Sequence, residues 1–165
     1  MIIRPLRDAD IEPCIAIMLD LPLWRAYGAT RDDARALFAG ALCGAASAHV
    51  AEAEGRLVGF IVYHLRGTFD HSGYVRAIGV AADVQGRGVG ARLMDAAEHD
   101  ILAHGPNVFL LTWTRNDAAA RFYERRGYER IGEIPNYVRR GITERLYRKT
   151  TGPIRPDAPA HHGTG

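Results

Sequence analysis

"YVRAIGVAADVQGRGVGARLMDAAE", residues 74–98, carries an apolar β-type run into three glycines within five positions and then into a helical pattern. Glycine gives up more backbone freedom on folding than any other residue, so this cluster suggests a close approach to the main chain. Gly86, Gly88 and Gly90 place no side chain in the way. A turn of this kind between strand and helix points several N–H groups into one concavity at the positive end of the helix dipole. That describes a phosphate site, with Arg87 adding a charge and Gln85 at its edge.

Working outward, "GYVRAIGVA" reads as a strand in which Val75, Ala77, Gly79 and Ala81 alternate with Tyr74, Arg76, Ile78 and Val80. Before it, "SAHVAEAEGRLVGFIVYHL" gives two strands about a tight Glu54-Gly55 turn, followed by a polar loop "RGTFDHS". Further upstream, "MIIRPL" is a short strand. Asp8 or Asp10 caps a helix through "RDADIEPCIAIMLDL", and "LPLW" breaks it. Thr30 and Asp33 form a capping-box pattern that opens a second helix. Downstream, the glycines lead into a helix with Val89, Leu93, Ala96, Ala97 and Ile101 on one face. "VFLLTWT" is a buried strand, and "NDAAARFYERRG" a short helix capped by Asn116 or Asp117. "YERIGEI" and "TERLYRK" are two last strands. The order is β-α-α-β-β-β-α-β-α-β-β. It predicts an α/β (α+β) fold with a mixed, mostly antiparallel central sheet of about 6–7 strands and helices on both faces. Residues 1–150 form one domain, and 151–165, rich in Pro, Gly and polar residues, read as a flexible tail.

Bulk properties narrow the function classes. The 165 residues suffice for one self-supporting core. A formal charge of +2 does not argue for nucleic acid. Lys149 is the only lysine among many arginines and alanines, a composition of GC-rich, bacterial genomes. Cys14 and Cys43 lie in apolar helical patterns and read as buried thiols of a reducing, cytoplasmic compartment, too few for a structural zinc site. No metal is expected. No stretch approaches the ~20 apolar residues of a membrane span.

Which phosphate ligand the loop takes follows from what surrounds it. No Gly-Lys-Ser/Thr follows, so the Walker pattern is absent. The dinucleotide pattern GxGxxA fits Gly86, Gly88 and Ala91. Three strands in antiparallel connection precede it, however, and "TWTR" stands where the ribose-binding acid belongs. "QGRGVG" does resemble the Q/R-x-x-G-x-G/A signature of the GNAT superfamily of acetyl-CoA-dependent N-acetyltransferases. "AIGVAADV" and "NDAAARFYERRGY" sit where that family places its other signatures.

The resemblance implies acetyl-CoA as cosubstrate, its pyrophosphate on the amides of Gln85, Gly86, Arg87, Gly88, Val89 and Gly90. Its pantetheine arm would run along the main chain of Ile78 and Val80, where a bulge splays the strand from its neighbour. The Val80 N–H would then act as oxyanion donor. Tyr123 matches the family tyrosine that protonates the departing thiolate, and Asn116 the residue that bonds the CoA arm. Arg125 or Arg126 is a candidate for the adenosine phosphate. Many relatives carry a basic glutamate where this chain has Arg76. Candidates for the missing base are His71, Asp70, His64 and Glu144, with His71 preferred for its near-neutral pKa. Cys14 and Cys43 lie far from the cofactor segments in sequence and offer no obvious histidine partner, so direct transfer in a ternary complex is expected. Trp24 and Tyr27, with Arg25, and Tyr137, with Arg139 and Arg140, are candidates for the acceptor side.

Three functions fit these features: a small-molecule amine acetyltransferase, a protein or peptide N-acetyltransferase, and a non-catalytic CoA-binding regulatory domain. The expected partners are small molecules rather than nucleic acid or membrane, with a homodimer expected by analogy.

Overall fold

The computed structural model describes residues 1–155. The expected tail enters it only as the bends of 151–155, and 156–165 lie outside the described residues. The chain runs β1 (Ile2–Pro5), α1 (Ile11–Asp20), α2 (Pro22–Tyr27), α3 (Arg31–Leu42), β2 (Ser47–Ala53), β3 (Arg56–Thr68), β4 (Ser72–Val80), α4 (Val89–Leu102), β5 (Asn107–Trp113), α5 (Asp117–Arg125), β6 (Glu129–Pro135) and β7 (Thr143–Thr150). The strands form one sheet in the order β1-β2-β3-β4-β5-β7-β6. Every pairing is antiparallel except β4 with β5.

One element differs from the sequence reading. "LPLW" does end α1, at an extended Leu21, but Pro22 then starts the extra helix α2. Proline at a first helical position lacks only an N–H that has no intrahelical partner there anyway, so it both stops one helix and begins the next. The hairpin turn at Glu54-Gly55 forms as expected, both residues at positive φ. The loop after β3 is shorter than the sequence suggests, because β3 continues to Thr68 and only residues 69–71 turn before β4, Phe69 and Asp70 at positive φ.

Two apolar cores clamp the sheet. On one face, α4 and α5 bury Val89, Leu93, Met94, Ala97, Ile101, Ala120 and Tyr123 against Ile61, Tyr63 and Leu110. On the other, α1, α2 and α3 bury Cys14, Ile15, Trp24 and Phe38 against Phe60 and Val62. Cys14 is the buried thiol expected of it. Cys43 is exposed, because α3 ends at Leu42 and leaves it beyond the packed face. The Thr30–Asp33 capping box is present in both directions and fixes the start of α3.

The entry to α1 is held electrostatically. Asp10 accepts two bonds from the Arg4 guanidinium, at 2.7 and 2.9 Å, and one from the Arg7 N–H at 2.8 Å. The Arg4 hydrogen bonds hold its carboxyl below the usual carboxylate range. A carboxylate stabilised in the folded state contributes stability above its unfolded pKa and loses it as pH falls through the folded one. Asp10→Ala is therefore expected to lower stability by about 2 kcal/mol at pH 7, read from urea midpoints, with the difference from wild type closing as the pH approaches 2. A difference that persists undiminished in acid would contradict the ionic origin.

Candidate active site

The site is made by a register fault in β4. Val62 of β3 faces Ala77 and the next residue, Tyr63, faces Val75, so Arg76 is an extra residue in the strand. Such a bulge bends the strand and increases its local twist. On its other edge β4 pairs with β5 only from Gly73–Val108 to Val75–Leu110. Beyond that point β5 stays with β7 along its whole length, through Trp113–Glu144. The two parallel strands therefore part at the bulge.

What the opening exposes follows from ladder alternation. The Ala81 N–H donates to the Val58 carbonyl at 2.9 Å, so residues 77, 79 and 81 bond to β3. The N–H and C=O groups of Ile78 and Val80 then turn toward the opening. The Val80 carbonyl accepts from Gln85 Nε2 at 3.1 Å, which ties the glycine loop to the strand end.

The bulge also corrects the face assignment drawn from strict alternation. Val75 packs in the α4–α5 core and Ala77 in the α1–α3 core, although they are two residues apart. One extra residue exchanges the faces of everything after it. Tyr74 consequently shares a face with Ala77 and borders the same cavity, a site residue the unbroken pattern did not single out.

At the upper end of the opening is a groove of about 450 Å³ lined by Ile78, Val80, Gln85, Gly86, Gly88, Val89, Gly90, Phe122, Tyr123 and Arg125, among others. Gly86 and Gly88 have φ of 77° and 81°, and a Cβ on either would meet no protein atom within 4 Å. Gly88 is the N-cap of α4 and offers no side-chain cap. The first-turn amides of α4 are thus left for an outside acceptor. An uncapped helix start, an open loop and the Arg125 guanidinium fit a diphosphate. Arg87 does not join them: it borders a separate hollow with Met1, Glu54 and Arg56. Arg126 is likewise committed elsewhere, paired with Asp95 and Glu98.

Below the groove lies a cavity of about 160 Å³ bordered by Trp24, Tyr27, Tyr74, Arg76, Asn116, Tyr123 and Glu144, among others. Tyr123 lines both spaces. Its phenol is pushed up from its ordinary value by burial, so it remains a protonated hydroxyl. Asn116 caps α5, its side-chain oxygen accepting from the Ala119 N–H at 3.1 Å, and borders the cavity as well. Glu144 is fully buried. One carboxylate oxygen accepts from the Tyr27 hydroxyl at 2.9 Å and the other has no partner. Burial pushes its pKa up, against the smaller opposing effect of the Tyr27 bond.

The other base candidates lie elsewhere. His71 and Asp70 are exposed in the β3–β4 turn, at the opposite end of β4 from Val80. They border none of the spaces around Ile78. His64 stacks on Tyr74 at 6.4 Å between centroids. Tyr137, expected on the acceptor side, is 63% exposed, and its neighbour Val138 lines the cavity instead. Arg25 turns away to Asp20. The Cys14 thiol is pushed up to about 12, chiefly by burial, and is no nucleophile.

The chain belongs to the GNAT acetyltransferase family, whose model matches residues 17–128. It is an acyltransferase of that family. The fold is similar to that of an aminoglycoside 6'-N-acetyltransferase complexed with coenzyme A, at 20% identity and a TM-score of 0.74, covering 95% of this chain and 100% of the other. A ribosomal-protein-alanine N-acetyltransferase from Brucella melitensis matches at 19% identity and TM-score 0.74, covering 91% and 99%. YncA from Salmonella typhimurium, solved with its cofactor acetyl-CoA, matches at 18% identity and TM-score 0.74, covering 98% of each chain. Among the described residues no helix is long and apolar enough to cross a membrane.

A valine at position 88 would have to adopt a φ of 81°, which a β-branched residue resists. Gly88→Val is expected to weaken CoA binding by about tenfold or more in calorimetry. Unchanged affinity would show that the loop amides do not hold the diphosphate.

Proposed function

We propose that the protein transfers an acetyl group from acetyl-CoA to the primary amine of a small molecule, by direct attack in a ternary complex. The observation that carries this reading is the parting of β4 and β5 at the bulge. It opens a groove for a phosphate-bearing arm on one side and a small, polar-floored cavity on the other, with Tyr123 common to both.

When bound, acetyl-CoA supplies an activated acyl carbon and a thiol leaving group. The amides of Gly86, Gly88, Val89 and Gly90, together with Arg125, would hold its diphosphate end, whereas those of Gln85 and Arg87 already donate to the Ala82 and Val84 carbonyls. The outward N–H groups of Ile78 and Val80 would align the arm, with the Val80 N–H available to polarise the acyl carbonyl. Tyr123 holds its proton at neutral pH and delivers it to the sulfur. An alkyl ammonium entering the cavity must lose a proton before its nitrogen is nucleophilic. Glu144, rather than His71, takes that proton, because it is the carboxylate that borders the cavity and its raised pKa makes it a stronger base than an exposed glutamate. Overall an N–C bond forms, a C–S bond breaks and one proton is released.

The cavity is too small for a folded protein surface and favours a free small amine over a protein acceptor. Thiol release from acetyl-CoA with a panel of small amines and peptides tests both this choice and the non-catalytic alternative. Peptides outperforming every small amine would overturn the first, and no release with any amine the second.

Tyr123→Phe is expected to lower kcat by about 10²-fold. The raised phenol predicts no alkaline loss of rate below about pH 10 attributable to Tyr123. On the acid side, wild-type rate should fall as pH drops through the raised Glu144 pKa, and Glu144→Gln should abolish that limb together with most of the activity. Full activity in the phenylalanine variant would remove Tyr123 from the mechanism, and an acid limb unchanged in the glutamine variant would remove Glu144.

A further inference from the structure

The acceptor cavity carries two opposite charges that do not neutralise each other. Glu144 is fully buried, receives one neutral hydrogen bond from Tyr27 and leaves its second oxygen unpartnered. Arg76, the extra residue of the β4 bulge, borders the same cavity and forms no ion pair among the described residues. A buried charge is ordinarily paired, and among the described residues Glu144 has no counter-ion, while Arg76 is solvent-exposed and likewise unpaired. Arg145, next to Glu144 in sequence, is already bound to Asp117 at 2.9 Å.

Other walls of the cavity are aromatic. Tyr27 and Tyr74 border the cavity, and Trp24 joins them with its indole N–H buried and unpartnered. Aromatic faces attract a desolvated ammonium, and a free indole N–H is a donor for an anionic oxygen. A volume of about 160 Å³ corresponds to about five water molecules. That holds an amine and a nearby anionic group.

We propose that the acceptor is a small zwitterion of the amino-acid type, with its ammonium against Glu144 and its carboxylate against Arg76. This rests on the acetyltransferase reading above and adds the substrate class. In this arrangement the bulge has two effects: it opens the cofactor groove, and it presents a guanidinium to the acceptor. Arg76 is itself solvent-exposed and, among the described residues, unpaired, so its guanidinium is free to take an incoming anion. At the bulge it becomes a selectivity element, because a carboxylate docked there orients the amine toward Glu144 and the opening between β4 and β5.

The test is calorimetry on the full chain saturated with CoA, titrated with individual L-amino acids, the carboxamide of each and the corresponding decarboxylated amine. Spermidine and kanamycin serve as polycations. Thiol release is measured with the same compounds and acetyl-CoA. At least one amino acid is expected to bind, with its carboxamide and its amine weaker by about tenfold or more. Arg76→Ala should reduce that discrimination to within about twofold while CoA affinity holds. Glu144→Gln, which conserves shape, should weaken all three by about tenfold or more. Thermal melting of each variant confirms that it remains folded.

Carboxamides, plain amines or polycations binding as well as the amino acids would overturn the proposal, as would discrimination that survives Arg76→Ala. Failure of every amino acid to bind the CoA complex would also overturn it. Amino-acid binding without thiol release would leave the zwitterion site standing and remove the catalytic reading. Thiol release with no preference for zwitterions would do the reverse.

Discussion

One extra residue in one strand shapes the whole functional half of the molecule. With Arg76 inserted, β4 cannot stay in step with both neighbours. It keeps its antiparallel ladder to β3 and gives up its parallel one to β5 after Val75. The β5–β7 ladder of seven residue pairs holds β5 in place, so separation at the bulge is the available outcome. The main-chain groups of Ile78 and Val80, which a complete sheet would satisfy, are left facing a cleft. Apart from the Val80 carbonyl, which Gln85 covers, these half-buried groups are open to an extended ligand that would complete the ladder.

In the mechanism we propose, desolvation acts in one sense, raising the pKa of two groups that do opposite work in the cleft. Burial favours the neutral form of any acid. For Tyr123 that preserves the proton a thiolate requires. For Glu144 it strengthens the base that an ammonium requires. Both effects come from the same closely packed cleft, with Tyr123 in the α4–α5 core and Glu144 facing Trp113 in the β5–β7 ladder. A donor and an acceptor of protons are thereby set on two sides of one opening without any unusual residue type.

Much of this was legible from residue order. Apart from α2, the element order, the Glu54-Gly55 hairpin and the Thr30–Asp33 cap follow from local periodicity and turn chemistry, and the structure bears them out. The glycine loop was legible for the same reason, since positive φ at positions 86 and 88 is a requirement that only a few residue types meet readily. Helix α2 was missed because Pro22 was read as a stop, when it also fits a first helical position. Arg87 belongs to the loop by sequence, yet its side chain leaves the groove, because direction within a turn depends on neighbours such as Glu54 and Arg56.

The sequence alone determined the local chemistry: which segments are strands and helices, where the backbone bends freely, and which side chains can donate or accept a proton. Only the tertiary structure decided which of these meet. A bulge is a relation between two strands and leaves no mark in one of them, so the change of face after Arg76 and the arrival of Tyr74 in the cavity could not be read from alternation. The proposed choice of Glu144 over His71 as the base has the same origin. They lie 73 positions apart in the chain, and only the order β4-β5-β7 brings one of them beside the cleft while leaving the other at the far end of β4.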